Sequence, residues 1–203
     1  MGYGFDDSVK DSEHIIGNFI QVTKETAIAA GRFIKELSAG TTDNGYEYLD
    51  VIVEDDKEAS AKKRYFKPVM GDILKTKVEL ENAESKFSRV VANISRRFLG
   101  ESYTLPKMPT FLEFVNKIIA DIGDKYKDVE LRVKVVLDKN DFPTLPNYAP
   151  IFELASVPQG ESKLKIASFD KVESTGRAST VEPDSFDEGH NPLWGTESST
   201  ISS

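Results

Sequence analysis

The chain contains no cysteine. Disulfides, thiolate metal sites and cysteine nucleophiles are thereby excluded, and a reducing compartment, the cytoplasm, is expected. Histidine is nearly as scarce: His14 and His190 are the only two, one toward each end of 203 residues. A histidine zinc site or a Ser–His–Asp triad has no materials in the body of the chain. No Gly-rich loop of the P-loop or dinucleotide type occurs. No apolar run approaches the roughly 20 residues of a membrane-spanning helix. The start, MGYGFDDSVKD, lacks the basic and apolar stretches of a signal peptide. Asp6 stands where myristoylation takes Ser or Thr. These absences predict a non-catalytic protein with no cofactor, no metal and no membrane partner.

Positive charge is also in short supply. The chain has 26 Lys and Arg against 34 Asp and Glu, for a net charge of −8. The deficit sits at the two ends: residues 1–25 carry −3 and residues 173–203 carry −5. The body between them is close to neutral, and its cations come in clusters. An acidic total of this kind is a weak objection to a basic surface in the middle.

What the chain does have is 39% hydrophobic residues in periodic runs, enough for one core. The stretch 128–157 organises the rest. Val129, Leu131, Val133, Val135 and Leu137 recur at period two, the mark of a strand with one buried face. Arg132 and Lys134 fall on the other face and are expected to meet solvent. Pro143 and Pro146 shape the loop that follows, and 148–157 returns as a second strand. Earlier, 27–37 reads as a first strand with a bulge at Gly31, and 46–54 as a second. A third spans 62–67. Leu49, Val51 and Val53 face one way, and Tyr46, Tyr48, Asp50 and Ile52 the other.

Residues 78–99 show three- and four-residue apolar spacing through Ala83, Phe87, Val90, Val91, Ile94 and Phe98, and predict a helix stopped by Gly100. A second helix, 111–122, is announced by the capping box of Thr110 and Glu113. A last short strand is expected within 162–172. Before residue 25, Ile15, Ile16, Phe19, Ile20 and Val22 suggest a short amphipathic segment, read as a helix. After residue 172 the composition turns to Ser and Thr, 11 of 31 residues, and disorder is expected.

Three strands, two helices and two strands make a mainly β protein with a helical insertion (α+β). This is the order of an OB-fold, a five-stranded Greek-key barrel, here with two helices between strands 3 and 4. The division is a segment 1–25, an OB-like domain 26–172 and an acidic tail 173–203. The alternative is an antiparallel sheet backed by the two helices. The blocks GYEYLDVIVEDD, KKRYFKP, LENAESKFSRVVANISRRFLG and VELRVKVVLDKNDFPTLPNYAPIFE resemble bacteriophage-type single-stranded-DNA-binding proteins of the OB-fold class. The resemblance implies non-sequence-specific binding of single-stranded DNA in replication or recombination, in the cytoplasm of an infected cell. The acidic tail is similar to the tails by which that family recruits replication partners. It ends STISS, however, and lacks the usual acidic run closed by an apolar residue.

The residues themselves point the same way. Single-strand binding needs aromatic faces for bases and a cationic track for phosphates. Tyr46, Tyr48 and Phe66 supply the first, and Lys62, Arg64, Arg132 and Lys134 the second; Tyr148 sits at the Pro146 bend as a further stacking candidate. The plain alternative is that these are strand formers on a solvated face. Lys86, Arg89, Arg96 and Arg97 are read as intrahelical ion-pair partners of Glu79, Glu81 and Glu84 upstream. Asp50, Glu54, Asp55 and Asp56 are the weaker candidates for a Mg²⁺ nuclease site. Trp194, the only tryptophan, lies in NPLWG within the tail and is the candidate docking anchor for a protein partner. The rival function is an adaptor that binds protein through the sheet face and the tail.

Overall fold

The computed structural model describes residues 18–71 and 73–173. The tail from residue 174, with His190 and Trp194, and the stretch up to residue 17, with His14, lie outside the described residues. Strands β1 (Ile28–Thr41), β2 (Glu47–Asp55) and β3 (Ser60–Phe66) come first. Helices α1 (Lys77–Leu99) and α2 (Phe111–Ile122) follow. Strands β4 (Leu131–Lys134), β5 (Val136–Leu137), β6 (Pro143–Thr144) and β7 (Phe152–Leu154) close the order.

The main sheet has the strand order β3-β2-β1-β4-β7, with every neighbouring pair antiparallel. Its apolar face carries Ile34, Leu37, Leu49, Val51, Val53, Leu131 and Val133, all buried in one core with the helix stripes. Leu37 and Leu49 meet Val91 and Ile94 of α1 and Val115, Ile118 and Ile122 of α2 around a small gap. Each such side chain contributes roughly 1.5–3 kcal/mol on leaving water. The α1 stripe is the one the spacing predicts. Thr110 and Glu113 form the expected capping box, and Thr76 and Glu79 form a second at the start of α1.

The expected barrel is not formed. The sheet runs open from β3 to β7, and these two edges do not pair. A barrel needs a last strand to bridge them. The run expected to be one strand over 129–137 breaks at Val135, whose N–H turns to Ala27 O at 2.8 Å. Beyond the break, β5 pairs with β6 in a separate two-stranded ribbon. That ribbon reaches β3 through Thr144, whose hydroxyl donates to Lys62 O at 2.8 Å. With the helices filling the apolar face, the sheet has no oily side left to curl around. The fold is a mixed α+β sheet backed by two helices, the alternative architecture.

Two other expectations change. Residues 162–172 form no strand; after β7 the chain crosses the outer face as an irregular strap that buries its own Leu164 and Val172. Phe19 does not belong to a helix but bridges Ser60 in parallel, and Ile20 enters the core. Gly31 does mark a bulge: its φ is 73°, and the β1–β4 register shifts between Ala29 and Arg32. Among the described residues, no helix is long and apolar enough to cross a membrane.

Candidate functional site

The outer face of the β2–β3 hairpin collects five of the predicted residues. Register places Tyr48 opposite Phe66, Asp50 opposite Arg64 and Ile52 opposite Lys62. Alternation sends all six side chains away from the helices. Tyr46, just before β2, is 42% exposed and meets the Phe66 ring edge-on at 6.3 Å. Tyr48 meets the same ring at 6.4 Å, also edge-on. Edge-to-face packing suits the ring quadrupoles and holds the three aromatics as one platform.

The cations on this platform are organised by Asp50. Arg64 Nε and Nη2 donate to its two carboxylate oxygens, both at 2.9 Å. Lys62 Nζ lies 3.1 Å from Oδ2 of the same group. The Arg64 guanidinium carbon stands 3.8 Å from the centroid of the Tyr48 ring, a cation–π stack. Gly40 of β1 lies opposite Tyr48. A Cβ there would fall 2.8 Å from the Tyr48 hydroxyl, so glycine makes room for the ring. By sequence Asp50 stands only as a candidate metal ligand, and Gly40 falls in the loop past the expected end of the first strand at residue 37; β1 runs on to Thr41, which makes Gly40 a glycine inside a strand, a signal of close approach.

Arg132, Lys134 and Tyr148 do not join this platform. Expected at the surface, Lys134 is 1% exposed. Its ammonium donates to the Tyr148 hydroxyl at 2.7 Å and to Lys165 O at 3.0 Å, and it lies 3.4 Å from Asp170. It also stands 4.1 Å from the centroid of the Tyr148 ring. Tyr148 in turn donates to Asp170, and Phe169 packs edge-on against it at 5.2 Å. Burial, reinforced by the Asp170 carboxylate, raises the Tyr148 phenol above its ordinary range. Burial lowers the Lys134 ammonium, and Asp170 opposes that shift. Arg132 donates to Val157 O at 3.0 Å and pairs with Glu153 at 3.4 Å. The reason for the correction is the strap. It brings Asp170 and the carbonyl of Lys165 over a sheet face that alternation alone leaves open.

Of the four acidic candidates, Asp50, Glu54 and Asp55 are engaged. Asp55 Oδ1 accepts the N–H groups of Lys57 and Ala59 and shapes the β2–β3 turn. Glu54 pairs with Lys35 at 2.8 Å. Among the described residues, no group of three or more His, Cys, Asp or Glu is placed to hold a metal ion. At the end of α1, Arg97 pairs with Glu101 beyond the helix rather than with an acid upstream on it, and Arg96 donates to Tyr103 O.

Two cations escaped the sequence reading, Arg32, which is buried, and Lys63, which is half-buried. Arg32, beside the bulge, donates to Val133 O at 2.7 Å and to the carbonyls of Thr26 and Ala27. Burial pulls its guanidinium down to about 10, against the attraction of Asp55. Lys63 lies on the helix-facing side of β3, between Ala61 and Tyr65. Burial lowers its ammonium to about 8, with Asp138 opposing the shift. Compared with known proteins, the chain matches no family model and no curated protein.

Proposed function

We propose that this protein binds single-stranded DNA without sequence preference and without catalysis, through the outer face of β2 and β3. One observation carries the reading. Three aromatic rings and two cations, Tyr46, Tyr48, Phe66, Lys62 and Arg64, converge on a single sheet face whose other side is committed to the helices. Stacking surfaces beside positive charge are what single strands require, each base stack contributing roughly 1–3 kcal/mol. The order of elements, three strands, helices, then the closing strands, also supports an open relative of the OB class. Arg132, Lys134 and Tyr148 are structural under the strap, so the contact set is smaller than the sequence implies. Roles in replication or recombination, with Trp194 as the docking anchor for a protein partner, belong to the same proposal.

The test is a titration of labelled single- and double-stranded oligonucleotides at two salt concentrations. Single strands are expected to bind the parent protein, with homopolymers of different base bound alike. Tyr48→Ala and Phe66→Ala are expected to weaken all of them together. Absence of binding at low salt would turn the platform into a protein-contact surface. Normal binding by both variants, with loss of thermal stability, would make the rings packing residues.

A further inference from the structure

Resting on that reading of β2 and β3, we propose that the strap carries a second contact for the same single strand: the Phe169 ring stacks a base, and the Lys163 and Lys165 ammoniums meet phosphates. Phe169 is the most exposed aromatic ring among the described residues, at 63%. It is nonetheless held in place. The ring packs edge-on against Tyr148 at 5.2 Å. Asp170, the next residue, accepts from the Tyr148 hydroxyl at 2.6 Å and from Ala167 N at 2.7 Å, and lies 3.4 Å from the Lys134 ammonium. The buried network of Lys134, Tyr148 and Asp170 thus pins the chain beside a ring that stays largely in water. A ring ordered before binding loses little freedom when a base stacks on it.

The lysines are presented in the same way. Lys165 O accepts from the Lys134 ammonium at 3.0 Å, so Lys165 and Asp170 meet around one buried cation. Lys163 N donates to Glu153, which also takes the Ser162 hydroxyl at 2.6 Å. Leu164 between the two lysines is buried, while both lysine side chains are exposed. The nearby charges are otherwise placed: Asp170 on Lys134, Glu173 on Lys24 and Lys171 on Asp141. Among the described residues of the strap, Glu161 is left to offset Lys163 and Lys165, so its outward side keeps a net positive charge in a chain of −8. Cations beside an accessible ring are what single strands need. A lipid surface asks for a broad apolar face; the large apolar side chains exposed on the strap are two, Ile166 and Phe169. The placement also suits one strand on one face. Tyr48 lies opposite Gly40 and Lys134 opposite Ile28, near the two ends of β1. At roughly 3.3 Å per residue the two contacts stand up to about 40 Å apart along it. Lys134 and Tyr148, expected to touch DNA, thus hold the residues that do.

Phe169→Ala and the double change Lys163→Gln with Lys165→Gln test this, with Tyr48→Ala as the control for the platform. Binding of a labelled oligothymidine long enough to span both contacts is measured across a salt series, with circular dichroism and melting to confirm folding. F169A is expected to weaken binding roughly 5- to 150-fold, the range of one base stack, with its salt slope unchanged. The double lysine variant is expected to flatten the log–log slope by about 1.4, the contribution of two phosphates. Either variant binding like the parent, while Y48A weakens binding, overturns the inference and leaves the platform as the single-strand site. If F169A does not fold, the lysine slope decides alone, and an unchanged slope overturns the inference. Vesicles of phosphatidylserine and phosphatidylcholine are titrated alongside. F169A losing vesicle binding while keeping oligonucleotide binding overturns the inference in favour of an anionic membrane surface. A parent protein that binds no oligonucleotide overturns the inference and the proposed function together.

Discussion

Lys63 is the residue whose chemistry departs furthest from its sequence context. It reads as one more surface cation in KKRYF, yet parity puts it on the helix-facing side of β3, where burial lowers its ammonium to about 8. The unfolded chain holds that proton up to about 10.4. Below pH 8 both states are charged, and the folded state bears the full cost of burial. Between pH 8 and 10.4 the unfolded state binds more protons, so stability rises with pH. Lys63→Met is therefore expected to stabilise the protein at pH 7, by up to about 3 kcal/mol at 1.36 kcal/mol per unit. The gain should fade toward pH 10.5. Urea midpoints of parent and variant at the two pH values check this, and a gain that does not change with pH would place the effect in packing. Gly40 makes the same point about context, since its role exists only because Tyr48 lies across it.

Among the elements, the strap decides most. It covers Lys134 with Asp170 and Tyr148, so a cation on the solvent side of an alternating strand becomes an interior group. Breaking one partner of such a buried pair typically costs about 3–5 kcal/mol, whereas replacing both by apolar groups is often neutral. Asp170→Ala is expected to lower the melting temperature sharply. Lys134→Met with Asp170→Leu is expected to recover most of the loss, and a double variant no better than the single would show that the pair's charges are not the issue. Edge strand β7 depends on α1 in a comparable way. Asn93 accepts the N–H groups of Ile151 and Phe152 at 2.7 and 2.8 Å and donates to Phe152 O at 3.1 Å. Asn93→Ala orphans three backbone groups, and a loss of roughly 2–4 kcal/mol is expected in denaturant unfolding. The helices were legible because caps and stripes are local. The short β7, three residues within a run of ten expected, was not, since its pairing is decided by what lies opposite.

At the scale of the whole molecule, charge is divided between body and ends. Residues 174–203 carry five acidic groups and one basic, tethered beside Lys24 through Glu173. If the β2–β3 face is the proposed single-strand site, a tethered acidic segment competes for it at an effective concentration set by its length. Salt screens such competition. Truncation after Glu173 is expected to preserve the fold and to tighten oligonucleotide binding at low salt, with little change at high salt. Fluorescence anisotropy on both forms measures it. Equal affinity at low salt would leave the tail as a spacer or a partner-binding segment.

The chain by itself determined which residues alternate, which make helical stripes and which cap them, because those signals act within a few positions. From them came the three-strand meander, both helices and the gathering of Tyr46, Tyr48, Lys62, Arg64 and Phe66 on one face. Only the tertiary structure decided what covers each face. The cation at position 134 meets its carboxylate 36 residues away, and the edge of β3 meets a separate ribbon rather than a closing strand. Periodicity assigns a side chain to one of two faces; it is silent on whether water, a helix pair or a distant strap lies there. That is why the open sheet and the buried Lys134 emerged only with the fold.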